Sequence, residues 1–173
     1  MEIRLLRPDD DRSHFDSGDT RLDGFLRQFA GQNQFRLHLG STWVAVEGKR
    51  NLGFATIAPG NIEIARLPAA QRRGLPRYPI PILRVARLAT ALSERGKGVG
   101  NALLRCTFTL ALKLSEEYGC IGVVVDAKPG AQAYYEKFGF LEIGCVAGTG
   151  AARPEPVEMF LPLELVRKAS ASE

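Results

Sequence analysis

The sequence predicts an α/β protein in which helices pack against a β-sheet, and three consecutive segments carry this prediction. Residues 84–90 are apolar and favour a strand, and residues 99–118 repeat apolar side chains at the spacing of an amphipathic helix. Residues 121–126 form a near-continuous apolar run. Such a run is typical of a strand that is covered on both faces, so we expect the long helix to pack firmly on that sheet.

Length and composition favour one soluble domain. The 173 residues are 45% hydrophobic and 24% charged, and we predict a single domain over residues 1–166 with a disordered tail at 167–173. The net charge of +4 is compatible with an anionic partner without identifying one. The sequence has no apolar run of about 18 residues and no signal-peptide pattern at its acidic start, and its three cysteines lack a C-x-x-C pair. We therefore expect a cytoplasmic protein that does not span a membrane.

The N-terminal segment should form a strand followed by a helix. Ile3 and Leu5 alternate with charged residues and predict a strand over 2–7, and the acidic run 9–11 is expected to be a solvated turn. Thr20 and Asp23 have the spacing of a capping box at the start of the helix. The helical spacing then predicts four core side chains: Leu22, Phe25, Leu26 and Phe29. The polar residues 32–36 continue this helix or form a second one.

The remaining elements follow from alternation and from turn residues. Residues 48–50 should connect two strands as a hairpin, and the proline-rich segment 59–81 is irregular, with a short helix around 69–73. The predicted strands and helices outside this segment cover residues 41–47, 51–58, 84–90, 99–118, 121–126, 131–138, 140–143 and 157–163, with a loop at 148–156.

A glycine-rich turn separates the strand 84–90 from the long helix. It reads Arg-Gly-Lys-Gly-Val-Gly over residues 95–100. It is no P-loop, because Lys97 is followed by glycine, and no dinucleotide fingerprint, because Asn101 stands where that motif needs glycine. Backbone N–H groups and the helix dipole favour a phosphate or pyrophosphate there, whereas the alternative is a connection without a ligand.

A second motif follows the strand 121–126. Residues 131–140 read AQAYYEKFGF, which resembles the pattern A-x-x-[FY]-Y-x-x-x-G-F of the GNAT superfamily of N-acetyltransferases. The glycine turn resembles the pyrophosphate loop of the same superfamily. The resemblance covers most of the chain and implies a GNAT fold, in which a mixed sheet is flanked by helices and its two central parallel strands splay apart.

The resemblance also implies roles for individual residues. Acetyl-CoA would be the acetyl donor, and its pantetheine arm would pair with the backbone of Leu88, Ala89 and Thr90. Tyr135 would be the general acid that protonates the leaving CoA thiolate, whereas the alternative reading of Tyr135 is a core aromatic residue. The pyrophosphate would be bound by Arg95 and by the backbone N–H groups of Gly96, Lys97, Gly98, Val99 and Gly100.

The sequence names neither a general base nor a metal ligand set. Glu63 and Glu94 are candidate bases without support from a motif. His14 and His38 lack metal-ligand spacing and a third partner, so we expect no metal site. The missing base is compatible with an acceptor amine of low pKa, because an α-amine is largely neutral where a lysine amine is not.

Three further stretches resemble the GNAT toxins of bacterial type II toxin–antitoxin pairs. They cover residues 15–35, 75–90 and 123–128. This resemblance implies acetyl transfer to the α-amine of aminoacyl-tRNA, a small ribbon-helix-helix antitoxin as partner, and a homodimer. We expect the basic residues Arg72, Arg73 and Arg77 to contact the tRNA beside the acceptor site, the alternative being a solvated surface loop.

Two other functions stay open. A GNAT enzyme could acetylate a small-molecule amine or a protein N-terminus. A catalytically silent protein could bind acyl-CoA to regulate a partner, although the tyrosine at position 135 argues against that reading.

Overall fold

The structure is a computed structural model that describes residues 1–145 and 156–171. Seven strands form one sheet in the order β1-β2-β3-β4-β5-β7-β6. The pairs β1–β2, β2–β3, β5–β7 and β6–β7 are antiparallel. The strands are β1 (Glu2–Leu5), β2 (Ser41–Glu47), β3 (Arg50–Ile62), β4 (Ile80–Thr90), β5 (Gly122–Ala127), β6 (Leu141–Cys145) and β7 (Val157–Pro162).

The described chain also contains α-helices, a π-helix and short 3₁₀ turns. A five-residue π-helix, Phe25–Phe29, joins α1 to α2, and short 3₁₀ turns cover Ile64–Arg66 and Leu92–Glu94. The α-helices are α1 (Thr20–Gly24), α2 (Ala30–Phe35), α3 (Ala69–Arg72), α4 (Val99–Glu117), α5 (Gln132–Glu136) and α6 (Leu163–Ala171). The predicted α/β class with a mixed sheet is confirmed. The splay of the central strands and the single domain over residues 1–166 stay predictions.

Contacts divide the chain into two compact units. The first unit comprises Met1–Ala58 and Val85–Thr107, and the second comprises Pro59–Arg84 and the described residues from Phe108 onward. In the second unit, buried side chains of β3, β4, β5 and β7 form a core that includes Ile62, Ile82, Val124 and Phe160.

The strands of the first unit carry a different core on each face. On one face Phe54 and Ala89 pack with residues of α1, the π-helix and α2, among them Phe25. On the other face Ala45, Leu52 and Leu88 pack with Val99 and Leu103, which belong to α4. The helix that follows the glycine turn is therefore fixed on one side of the β4 backbone, and the N-terminal helices are fixed on the other.

The N-terminal helix differs from its prediction in two respects. Its N-cap is Asp19, whose carboxylate accepts hydrogen bonds from the N–H groups of Arg21 and Leu22. Asp23 is buried and accepts from Ser17 instead, so the predicted capping box of Thr20 and Asp23 is wrong. The cap lies one residue earlier because aspartate, like threonine, can accept from the first free N–H groups.

Phe29 is 50% exposed, so its predicted place in the core is wrong. The other predicted side chains pack inward: Phe25 and Leu26 are buried, and Leu22 is partly buried. The cause is the π-helix, because its wider turn delays the next inward position by one residue relative to an α-helix. Ala30, which is fully buried, takes the place that α-helical spacing assigns to Phe29.

Smaller differences concern turns and element ends. Asp10 is no solvated turn residue, because Arg4 binds its carboxylate at 2.7 and 2.8 Å and lowers its pKa. Arg50 pairs with Glu47, so the hairpin turn is only Gly48 and Lys49. The strands β3 and β4 extend to Ile62 and back to Ile80, which shortens the irregular segment.

The C-terminal helix α6 was not predicted. It extends through Ala171, so residues 167–171 are helical rather than disordered. Val166 is fully buried and Ser170 donates to the carbonyl of Val166, which anchors the helix in the second unit. Residues 172–173 and most of the predicted loop 148–156 lie outside the described residues. In the described part of the chain, no helix is long and apolar enough to cross a membrane.

Candidate active site

The glycine turn has the backbone shape that a bound phosphate requires. Gly96 and Gly98 have φ angles of +76° and +83°, which strain any L-residue with a side chain. A Cβ at either position would have no protein atom within 4 Å, so the space beside both glycines is open. The α-helix α4 starts at Val99, and its first N–H groups have no partner within the helix. Open space and the positive end of a helix dipole therefore coincide at this turn.

The cationic side chains of the turn are held by neighbouring groups. A guanidinium nitrogen of Arg95 donates to the carbonyl oxygen of Ser17 at 2.6 Å, and the ammonium of Lys97 lies 3.4 Å from Glu94. The backbone N–H of Lys97 donates to the carbonyl oxygen of Glu94 at 3.2 Å. A pyrophosphate contact from that N–H, which the sequence predicts, would require this hydrogen bond to open.

Glu94 is poorly suited to be the general base. Burial raises its pKa, but hydrogen bonds and charges from Lys97 and Arg50 outweigh this, so its pKa is lowered overall. Arg50 lies 2.8 Å from the carboxylate. A carboxylate with a lowered pKa and two cationic partners is a weak proton acceptor. Glu94 instead forms ion pairs with Lys97 and Arg50.

The three residues at the end of β4 are placed differently around the strand. Leu88 packs toward α4, whereas Ala89 is buried against the N-terminal helices, and Thr90 is half-buried. Gly53 allows this packing, because a Cβ there would lie 2.8 Å from the carbonyl oxygen of Ala89 and from Val99. The pairing of these residues with pantetheine stays a prediction.

Tyr135 lies on α5 in the second unit and is 8% exposed. Its ring packs edge-on against Tyr134 and Phe140, with centroid distances of 5.2 and 5.6 Å. Burial raises its pKa above the ordinary value of 10, with smaller contributions from Tyr134 and Asp126. Burial also raises the pKa of Tyr134 to about 12. Tyr135 is therefore a packed aromatic residue and, at neutral pH, a fully protonated phenol.

Sequence reasoning missed a cluster of four charged side chains in the second unit. Arg84 lies 2.7 Å from Asp126 and 3.3 Å from Glu158, and Arg66 lies 3.2 Å from the other oxygen of Glu158. That oxygen, Oε1, is buried and lacks a hydrogen bond of good geometry, although Arg66 is within ion-pair distance. Burial raises the pKa of Asp126, the charge of Glu158 adds to this, and Arg84 opposes it.

A signal for this cluster exists in the sequence. Each of Arg84, Asp126 and Glu158 interrupts or ends an otherwise apolar strand. A charged residue in such a strand is either paired or functional, because an isolated buried charge is too costly. The partners, however, come from strands distant in sequence, so only the fold identifies them.

A second missed group is Arg87 of β4. Its guanidinium carbon lies 3.8 Å from the centroid of the Phe25 ring, in the geometry of a cation–π contact. Phe25 stacks in turn on Phe54, with ring centroids 6.2 Å apart and planes at 24°. The side chain is half-buried.

The predicted tRNA-binding arginines lie at the surface of the second unit. Arg72 ends α3, and Arg73 and Arg77 follow it; all three are exposed. None of their guanidinium groups makes an ion pair or hydrogen bond with another described residue. Glu63, the other candidate base, is also exposed. Residues 1–145 and 156–171 contain no group of three His, Cys, Asp or Glu side chains that could hold a metal ion.

Comparisons with known proteins agree with this geometry. A model of the acetyltransferase (GNAT) domain matches residues 38–142. A tRNA-acetylating toxin of Mycobacterium tuberculosis is 32% identical over 139 residues, which are 79% of this chain and 82% of the relative.

Solved structures show the same fold. AtaT complexed with acetyl-methionyl-tRNAfMet has a TM-score of 0.82 at 23% identity, covering 96% of this chain and 97% of that one. A mutant AtaT toxin bound to the C-terminus of the antitoxin AtaR and acetyl-CoA has a TM-score of 0.73 at 22% identity, covering 96% of both chains.

Proposed function

The chain belongs to the GNAT acetyltransferase family, and we propose that it transfers acetyl from acetyl-CoA to the α-amine of aminoacyl-tRNA. The glycine turn at the start of α4 is the observation that carries the acetyl-CoA part of this proposal. The similarity to a tRNA-acetylating toxin over 79% of the chain supports the acceptor.

The turn and the end of β4 supply the cofactor contacts in this proposal. The N–H groups of Gly96, Gly98, Val99 and Gly100 bind the pyrophosphate, and the open space beside Gly96 and Gly98 admits it. The backbone of residues 88–90 pairs with pantetheine and holds the thioester beside a polarising N–H group. Bound acetyl-CoA supplies the acetyl group as a thioester.

Tyr135 supplies the proton that the reaction requires. A new bond joins the amine nitrogen to the acetyl carbon, the carbon–sulfur bond breaks, and the sulfur leaves as a thiolate that must be protonated. The phenol of Tyr135 carries this proton at neutral pH, since its ordinary pKa of 10 already lies well above 7 and burial raises the pKa further. The proton released by the amine goes to solvent, since an α-amine with a pKa near 7.7–8 needs no strong base.

We also propose a protein partner. An AtaT structure contains the antitoxin AtaR, which supports an antitoxin for this chain. A ribbon-helix-helix antitoxin, a homodimer and a cytoplasmic location complete the proposal and rest on the resemblance to the toxin family.

The direct test incubates the protein with labelled acetyl-CoA and total charged tRNA. We expect N-acetyl-aminoacyl-adenosine after nuclease digestion, and no label in deacylated tRNA. Polyamines and peptides with a free N-terminus serve as competing acceptors in parallel reactions. Label that enters only those acceptors would identify a different amine as the substrate, and binding of acetyl-CoA without any transfer would favour the regulatory alternative.

A further inference from the structure

Among the described residues, Arg87 has no counter-ion. Its guanidinium is half-buried, and none of those residues accepts a hydrogen bond from it or forms an ion pair with it. Burial lowers the pKa of Arg87, and no carboxylate in the described part of the chain raises it again. Half-buried charges in proteins are usually paired, because desolvation costs several kcal/mol that only a partner offsets. The planar edge of this guanidinium is therefore free for a ligand.

An aromatic ring packs against the guanidinium. Its carbon lies 3.8 Å from the centroid of Phe25, which is 6% exposed and stacks on the fully buried Phe54. Phe25 is the first residue of the π-helix, and such helices are frequent at functional sites. A guanidinium stacked on an aromatic ring keeps its N–H donors in the plane of the fork. This arrangement suits bidentate binding of a phosphate or carboxylate.

Arg87 lies on the other face of β4 from the helix that follows the glycine turn. Its partner Phe25 belongs to the core that α1, the π-helix and α2 form with Ala89, whereas the next residue, Leu88, packs toward α4. An anion bound at Arg87 would therefore lie on the opposite face of β4 from α4, beside the N-terminal helices that pack on Ala89. A ligand at Arg87 and a pyrophosphate at the start of α4 would thus approach β4 from different faces.

The distance along the strand also fits an acceptor group. Arg87 lies one to three positions before residues 88–90, which is about 3–10 Å at the rise of a β-strand. The upper end of that range is comparable with the length of one nucleotide. A terminal nucleotide whose amino acid reaches the acetyl group beside residues 88–90 could therefore place its own phosphate at Arg87.

We propose that Arg87 binds the phosphate of the 3′-terminal nucleotide of the acceptor and so sets how deeply the aminoacyl group enters. This inference rests on the proposed function, because that function makes the acceptor a nucleotide. Arg87 is a substrate-positioning residue, and Phe25 orients it.

The test compares two probes that differ by one phosphodiester: adenosine and adenosine 5′-(methyl phosphate). With coenzyme A saturating its own site, we expect the parent to bind the phosphodiester at least ~10-fold more tightly, since hydrogen bonds to charged groups contribute about 1.5–3 kcal/mol. Arg87→Gln should remove this preference. Arg87→Lys should keep part of it, because the charge remains without the fork. Arg167→Gln, at an exposed site on α6, makes the same charge change and should keep it all.

Turnover provides the second readout. Arg87→Gln should raise KM for charged tRNA by at least ~10-fold and change kcat less, with acetyl-CoA affinity and melting temperature preserved. An unchanged phosphodiester preference in Arg87→Gln would overturn the proposal, as would an equal loss of acetyl-CoA affinity. A parent that shows the Arg87-dependent preference but fails to acetylate tRNA would refute the proposed function and, with it, the assignment of this phosphate to the end of a tRNA. A parent that acetylates tRNA without an Arg87-dependent preference would overturn this inference alone.

Discussion

Asp126 and Tyr135 show how single charges and burial set the chemistry of the second unit. The Asp126 carboxylate contributes to the raised pKa of Tyr135, and Arg84 holds that carboxylate at 2.7 Å. Protonation of Tyr135 is therefore supported both by burial and by a neighbouring negative charge, so the phenol stays protonated over a wide pH range.

Replacing Tyr135 by Phe should lower kcat by about 100-fold or more, because only the hydroxyl is removed. Acetyl-CoA affinity, measured by calorimetry, and the melting temperature should stay within error of the parent. In the parent, kcat should not decline between pH 7 and about 10 through loss of the phenolic proton, since the pKa is raised above 10. Tyr134→Phe is the matched control. Full kcat in Tyr135→Phe would identify water as the proton donor.

The strand that contains Glu158 is predictable from the sequence, but the charge partners of Glu158 are not. The sequence predicts a strand over 157–163, and β7 confirms it from Val157 to Pro162. Alternation along that strand could not predict that a 2%-exposed glutamate would meet Arg66 and Arg84. Those pairings depend on which strands become neighbours, and β7 lies between β5 and β6 although it follows β6 in sequence. The place of Tyr135 on a short helix, in contrast, follows from a motif that is local in the sequence. Its role as general acid stays a prediction.

Among the elements, the glycine turn was the most predictable and the π-helix the least. The turn depends on residues adjacent in sequence, and two of the three glycines of its motif, Gly96 and Gly98, have positive φ angles. The π-helix depends on packing, because nothing in the spacing of Phe25, Leu26 and Phe29 distinguishes a wide turn from an α-helical one. Tertiary contacts of Ala30 and Phe25 decide that register.

Gly98→Asp should lower acetyl-CoA affinity by at least ~100-fold, because a negative side chain then faces phosphate in the space that is now open. Gly48→Asp is the matched control. Gly48 also has a positive φ, +60°, and open space around a built Cβ, but it lies in the hairpin between β2 and β3. Calorimetric titration should show parent-like affinity for the control. Equal losses in both variants would mean that backbone strain, and not the phosphate, causes the effect.

Because of the π-helix, alanine substitutions of two phenylalanines four residues apart should have very different effects on the free energy of unfolding. Phe25→Ala should lower the free energy of unfolding by about 3–5 kcal/mol, as is usual for a buried phenylalanine. Phe29→Ala should change it by less than about 0.5 kcal/mol, because that side chain is half exposed. Urea unfolding followed by circular dichroism measures both. Similar losses would show that the segment is α-helical in solution.

At the scale of the whole molecule, charge indicates the kind of acceptor. The chain carries 23 Lys and Arg against 19 Asp and Glu, a net charge of +4 that by itself identifies no partner. Arg66 and Arg84 pair with carboxylates in the second unit, whereas the exposed Arg72, Arg73 and Arg77 have no carboxylate partner among the described residues. We propose that a polyanion such as a tRNA acceptor stem uses these three groups together.

Replacing Arg72, Arg73 and Arg77 together by Glu should abolish acetylation of charged tRNA and leave acetyl-CoA affinity unchanged, because the glycine turn is a separate element. The contacts are electrostatic, so in the parent log K for tRNA should fall steeply with log salt. Loss of three phosphate contacts should reduce that slope by about 2–3.

The substitutions change the net charge from +4 to −2. A second variant with Glu at the exposed positions Arg7, Lys113 and Arg167 has the same net charge and controls for it. We expect that control to retain most tRNA acetylation and the full salt slope. If both variants lose activity equally, overall charge governs tRNA binding and the segment after α3 is an ordinary solvated surface.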